Sequence, residues 1–244
     1  MKAMLEVDEH HWWYRGRRRI IRAELDRLPL KPGAAILDAG CGSGRTMVDL
    51  AEYGAVRGVE LDPAAAEVAR GRGVGEVVMG RLEELPWPEG TFDLITCLDV
   101  IEHTPDDRTT LRELLRVCRP GGWMLATVPA YQALWSTHDV ANHHYRRYSR
   151  RSLQAAAIDA GWRAWRLTSF NSLLLGPAAA VRLAQRRALK RPNESYTPDL
   201  KLGPTWLNGV LERPLRAEAR WLTRGRTLPA GLSLLAVLQK PGGT

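Results

Sequence analysis

Residues 35–39 form a short apolar run interrupted only by Asp38, and the run stops at a turn carrying Gly40, Gly42 and Gly44. From there the chain alternates between two patterns. Residues 45–52 place apolar side chains at helical spacing, and residues 56–61 form a second apolar run. Residues 63–70 open a second helix, with Pro63 at the first position, where a missing N–H costs nothing. Residues 74–79 predict a third strand. Residues 92–98 predict a fourth, continuously apolar as strands buried on both faces are. A helix over 109–118 is stopped by Arg119-Pro120-Gly121-Gly122, and a fifth strand follows over 123–128. A helix over 152–160 ends at Gly161, and further strands are expected at 162–169 and 232–238. Strands alternating with helices predict an α/β fold, a Rossmann-like seven-stranded sheet, mostly parallel, with helices on both faces.

Three stretches add to this alternation. Residues 10–28 read as an amphipathic helix rich in arginine and aromatic residues, broken by 29–33. Residues 131–151 follow the fifth strand, and residues 171–229 separate the sixth from the seventh, far more than a usual connection. Both carry tryptophan, leucine and arginine, so helical or loop cap insertions are expected rather than linkers. The whole chain, 1–244, is expected to be one domain, with 1–30 as an N-terminal helix and 131–151 and 171–229 as acceptor-side insertions. A chain this long buries roughly 70–75% of its unfolded surface and needs no disulfide or metal staples.

Composition changes this picture little: 45% hydrophobic and 25% charged residues are ordinary for a globular protein. The net charge of +8 is more informative. It comes largely from arginine clusters such as Arg15 to Arg19 and Arg146 to Arg151, with no motif that reads nucleic acid beside them. No nucleic-acid partner is expected. Cys41, Cys97 and Cys118 form no C-x-x-C pair, which argues against a disulfide framework or a cysteine zinc site. No apolar run reaches the length of a membrane span, and residues 1–19 lack the apolar core of a secretory signal. A cytoplasmic location is expected.

The chemistry-bearing pattern is Ile36-Leu37-Asp38-Ala39-Gly40-Cys41-Gly42-Ser43-Gly44, a strand feeding a glycine turn and then a helix. Glycine lets the backbone approach a ligand, and the helix start offers free N–H groups. A dinucleotide turn would want glycine or alanine where Arg45 stands, a poor fit. Asp38 could bridge the loop backbone and face an ammonium group. Glu60, at the tip of the second strand, is a carboxylate placed to accept hydrogen bonds from a ribose diol; the plainer reading is an exposed acid near a helix start. Asp62, directly before Pro63, suits the helix cap.

These residues, with Gly80-Arg81-Leu82-Glu83-Glu84-Leu85-Pro86, Gly90-Thr91-Phe92-Asp93, Asp99-Val100-Ile101-Glu102-His103 and the run from Leu114 to Gly122, resemble the class I S-adenosylmethionine-dependent methyltransferases, the small-molecule subgroup. The resemblance covers residues 36–128 closely and implies a cofactor-binding core over 33–130. It also implies an antiparallel last strand, carried by Gly231-Leu232-Ser233-Leu234-Leu235. It further implies that Gly40, Cys41, Gly42 and Gly44 line the methionine part of S-adenosylmethionine (SAM), with Asp38 near its amino group. Glu60 would bind the ribose, Leu61 pack on the adenine, Arg81 and Leu82 meet the adenine edge, and Asp99 lie near the sulfonium. The family usually has aspartate where Arg81 stands; arginine accepts no hydrogen bond, so its guanidinium would stack on the adenine or leave recognition to the Leu82 backbone.

Trp13 and Arg17, four apart, share a helix face and resemble a cofactor clamp found before such domains in bacterial enzymes of sugar pathways; a surface helix packing its tryptophans on the sheet is the alternative. His138, His143, His144, Tyr145, Arg146 and Arg147 form the densest polar and aromatic cluster, and Tyr131 precedes it. No spacing of a known metal site is present, so no metal is expected. Tyr131, His144, Tyr145, Arg146 and Arg147 are candidate acceptor contacts, and His103, His138 and His143 candidate bases. The expected activity is methyl transfer to a small-molecule or saccharide-type acceptor, an anionic or lipid-linked saccharide included. Peripheral membrane contact through the basic stretch 173–191 is a further option. A nicotinamide-dependent oxidoreductase and a non-catalytic SAM-binding protein are the alternatives.

Overall fold

A computed structural model describes residues 9–180 and 205–242. Its strands are β1 (Ala34–Ala39), β2 (Gly54–Glu60), β3 (Val77–Met79), β4 (Phe92–Leu98), β5 (Cys118–Pro129), β6 (Arg163–Phe170) and β7 (Ser233–Gln239). Its helices are α1 (Trp12–Leu25), α2 (Arg45–Leu50), α3 (Pro63–Gly71), α4 (Asp107–Val117), α5 (Thr137–Ala141), α6 (Arg150–Asp159) and α7 (Thr205–Thr223). The seven strands form one sheet in the order β3-β2-β1-β4-β5-β7-β6. β1 pairs in parallel with β2 and β4, β2 with β3, and β4 with β5. β7 runs against β5: Gly121 N donates to Lys240 O at one end (3.0 Å) and Ala130 N to Leu232 O at the other (2.9 Å). The expected Rossmann-like sheet with a reversed last strand is therefore present.

The described residues fall into two compact units, each discontinuous in sequence. The first holds residues 28–128, 150–167 and 235–242. Its core is the strand face predicted from the apolar runs: Ile36, Leu37, Phe92, Leu94, Ile95 and Cys97 are fully buried. Helix starts follow local chemistry. Asp62 caps α3 by accepting from Ala65 N (2.7 Å), and Asp106 caps α4 by accepting from Arg108 N and Thr109 N. Trp162 donates its indole N–H to Leu111 O at 2.9 Å, which ties the start of the sixth strand segment to α4. One expectation shifts. Cys118, expected to end a helix, and residues 119–122, expected to stop it, belong to β5, where the register jumps from Phe92 opposite Cys118 to Leu94 opposite Trp123. The chain bulges there around Gly121, at φ 78°, instead of ending the element.

The second unit holds residues 9–27, 129–149, 168–180 and 205–234 among those described. α1 lies along α7. Gly16 makes this approach close, since a Cβ there would collide with the Leu215 side chain. Glu212, 1% exposed, sits under three arginines: Arg15, Arg19 and Arg216. Burial would raise its pKa, but the hydrogen bonds of Arg216 and Arg19 and the charge of Arg15 outweigh this and hold it below the usual carboxylate range. Trp13 stacks on Phe170, with ring centroids 5.9 Å apart and planes 14° apart. Of the basic stretch 173–191, residues 175–180 are helical, while Arg182, Arg186, Arg187, Lys190 and Arg191 lie outside the described residues.

Candidate functional site

The site in the first unit is built where β1, β2 and β4 end. After β1 the chain turns through Gly40 (φ 76°), whose N–H, with that of Cys41, donates to Val59 O. A Cβ at Gly40 would come within 2.6 Å of Val100 Cγ2, so only glycine fits between the first turn and the end of β4. Gly42, at φ 53°, faces open space. Its N–H donates to Glu60 Oε2 at 2.7 Å, while Glu60 Oε1 accepts from Leu61 N and Asp62 N at 2.9 Å each. The carboxylate thus staples the glycine turn to the tip of β2. Three of its roughly four acceptor positions are in use, and one is left for a ligand hydroxyl. Asp38, 2% exposed, accepts from the Thr96 hydroxyl at 2.7 Å and so lies under the turn, held by β4.

Beside the turn is a cavity of about 330 Å³, within the size range of small-ligand sites. Gly40, Glu60, Leu61, Arg81, Leu82, Asp99 and His103 line it, all of them expected from the sequence. Asp99 has φ 57°, an uncommon conformation for a residue other than glycine, and its N–H donates to Thr127 O. Backbone strain of this kind gathers at functional sites. Glu83 also lines the cavity and accepts from Arg81 Nη2 at 3.3 Å. Sequence reasoning passed over Glu83; the one available signal was a carboxylate two residues beyond an arginine that cannot accept. The loop bearing this pair is pinned by Arg116, which donates to Trp87 O and Leu85 O, and by Glu113, which accepts from Leu85 N.

All three cysteines are buried. Burial, and then the charges of Asp38 and Glu60, push the Cys41 thiol far up; burial does the same for Cys97 and takes Cys118 up to about 12. Cys41 fills the space that the missing side chain of Gly58 leaves open.

The remaining candidates lie in the second unit. His11 caps α1 by accepting from Trp13 N, and Arg17 is half-buried on the same helix. Around Asp139, which is fully buried, a compact polar knot forms. Arg147 Nε and Nη2 grip its two oxygens at 2.7 and 2.9 Å, His144 Nδ1 lies 2.9 Å from Oδ1, and Ser136 N donates to Oδ2 at 2.8 Å. Burial would raise the Asp139 pKa; the bonds from His144 and Arg147, then the Arg147 charge, hold it well below the usual range. Arg147, expected as an acceptor contact, has its guanidinium turned inward here, because a buried carboxylate requires a partner. Its Nη1 donates to Ala130 O. His138 stands edge-on to His144 at 6.4 Å. His143 (φ 55°), Tyr145 and Arg146 lie on the outer side, with the Arg146 guanidinium 5.8 Å from the Tyr145 ring. Tyr131, at φ 61°, starts a short 3-10 turn over Gln132–Leu134.

Residues 37–126 match the family model described as a methyltransferase domain. This stretch is a methyltransferase domain. A ubiquinone biosynthesis O-methyltransferase of Bordetella avium is 32% identical over 99 residues, which is 38% of this chain and 41% of that protein. An uncharacterized 37.1 kDa protein in a transposon of Streptomyces fradiae is 28% identical over 215 residues, 79% of this chain and 62% of that one. The chain thus spans less than two thirds of either relative. Among solved structures, a SAM-dependent methyltransferase of Mesorhizobium loti superposes with a TM-score of 0.59 at 18% identity, covering 91% of this chain and 97% of the other, a likeness of fold. The methyltransferase domain fits its cofactor on this chain's own geometry. It offers a glycine turn open at Gly42, a carboxylate with one acceptor position left, and a cavity with apolar walls at Leu61, Leu82 and Val100. Among the described residues no helix is long and apolar enough to cross a membrane.

Proposed function

We propose that the protein transfers a methyl group from SAM to a small-molecule or saccharide-type acceptor. The observation that carries this is the cavity at the ends of β1, β2 and β4, bounded by Gly40, Glu60 and Asp99, where open α/β sheets hold ligands. In this reading the N–H groups of the turn over Gly40, Cys41, Gly42 and Gly44 face the methionine end, with Asp38 beneath near its ammonium. Glu60 takes a ribose hydroxyl with its remaining acceptor position, and Leu61 and Leu82 enclose the adenine. Arg81 meets the adenine edge, and Asp99 stands near the reacting centre.

Bound SAM would supply a methyl group activated by its sulfonium. The chain's part is mainly alignment, an effect of up to roughly 7–11 kcal/mol in well-oriented reactions. A hydroxyl acceptor also needs a base, and exposed His103 in the cavity wall is the candidate in the first unit, for about a hundredfold to ten-thousandfold gain. His138 and His143 are the other candidate bases. Trp13 and Arg17 are candidate contacts to the cofactor, and Tyr131, His144, Tyr145 and Arg146 to the acceptor.

Titration calorimetry with SAM, with its demethylated product and with NAD tests the reading. Heat with the first two and none with NAD is expected; the reverse would make the protein a nicotinamide enzyme. Incubation with SAM and a panel of phenols, amines and sugars, read by mass spectrometry, then identifies the acceptor.

A further inference from the structure

α7 is sharply two-sided. Glu212, Leu215, Glu218, Ala219 and Leu222 are buried. Val210, Arg213, Arg216, Arg220 and Trp221 are exposed, and they share an arc about 140° wide at 3.6 residues per turn. Arg224 continues the arc just beyond the helix end. Both acids of the helix face inward and are occupied. Glu212 holds Arg15, Arg19 and Arg216, while Glu218 accepts from Asn171 N and Ser172 N at 2.6 and 2.7 Å. The charge presented to solvent by this helix is therefore entirely positive. No carboxylate pairs with Arg213, Arg220 or Arg224 among the described residues. Val210 is 46% exposed and Trp221 39%, and the Trp221 indole N–H is already bonded to Thr227 O.

We propose that this solvent face of α7 is a docking surface for an anionic lipid bilayer. Arginines alone would suit any polyanion. Val210 and Trp221 on the same arc add apolar surface that a row of phosphates does not use but a headgroup–acyl boundary does. Arginine stems and an indole with its N–H satisfied suit that boundary, the cationic heads reaching the phosphates. Pro214 is compatible with this placement: it removes one helix hydrogen bond, and the carbonyl it frees, that of Val210, lies on the exposed arc. The proposal does not rest on methyl transfer.

The test is co-sedimentation of the full chain with vesicles of phosphatidylcholine alone or with phosphatidylglycerol added. Pelleting is expected only with the anionic vesicles at about 0.1 M salt, and its loss near 1 M, where the screening length falls to about 3 Å. The triple variant R213Q/R220Q/R224Q should lower the partition coefficient about 100-fold, at roughly fivefold per arginine. The variant R112Q/R151Q/R163Q, which removes the same charge from exposed positions of the first unit, should keep it within a few-fold. W221A should weaken binding several-fold without altering its salt dependence. Circular dichroism checks that each variant stays folded. No pelleting with anionic vesicles, equal pelleting with neutral ones, or an equal loss in the two triple variants overturns the proposal. So does a single-stranded RNA that binds through the same three arginines and displaces the vesicles.

Discussion

The two units differ in where their carboxylates stand, for the first sets acids around a cavity. In the first, Glu60, Glu83 and Asp99 line an open cavity, each with geometry that leaves the group facing a ligand volume. In the second, Glu24, Asp139, Glu212 and Glu218 are buried. Asp139 and Glu212 are held by cations and Glu218 by backbone N–H groups, so that water meets mostly arginine. The family match lies wholly within the first unit. Glu60, Glu83 and Asp99 thus stand where a ligand would bind, although the first unit also buries Asp38, Glu102 and Asp107, whereas the buried acids of the second unit hold it from inside and leave arginine at its surface.

The largest effect should come from an acid that holds. D139A leaves Arg147 buried without its partner and should cost about 3–5 kcal/mol in urea unfolding. The double variant D139L/R147M should recover most of that, since no charge is then stranded. The pair also sets a pH dependence. Asp139 titrates lower when folded than the roughly 3.9 of an unfolded chain, so its contribution is complete above about pH 4 and is lost as pH falls through the folded value. Melting curves of the native chain and the double variant should converge toward acid; parallel curves would show that Asp139 is not clamped.

Next should be G40V, where a side chain meets Val100 at a positive φ. A loss of about 1–3 kcal/mol and of measurable heat with the SAM product is expected. An acid that binds should behave differently from Asp139. E60A removes a charged acceptor worth about 1.5–3 kcal/mol, so the Kd for that product should rise roughly tenfold or more while the fold survives. If E60A instead unfolds the chain as D139A does, the contrast between Glu60 and Asp139 fails. The smallest effect should be D62A, a lost helix cap costing about 1 kcal/mol with product binding unchanged.

Most of the sheet was legible because buried parallel strands leave unbroken apolar runs: the expected 92–98 coincides with Phe92–Leu98. The glycine turn and the acid at the tip of β2 were legible because their backbone geometry and chemistry restrict residue choice. The β5 bulge was not, since Arg119-Pro120-Gly121-Gly122 carries the same composition as a turn. Nor was the long helix α7, which contains Pro214, a residue that argues against helix wherever its lost hydrogen bond is not exposed. Arg147 read as an acceptor contact because nothing local marks its bond to Asp139, eight residues earlier across a turn. Glu83 was missed because its position in the cavity depends on Arg116 and Glu113 pinning a loop from a distant helix.

The placing of β7 between β5 and β6 bears on how the molecule assembles. β6 leaves the ribosome well before β7 and has no lasting neighbour until β7 arrives, so for that interval it is an unpaired edge open to strand exchange with other chains. Shortening the chain within 233–239 would therefore remove an interior strand, not trim a margin, and expression of such a form should yield aggregate.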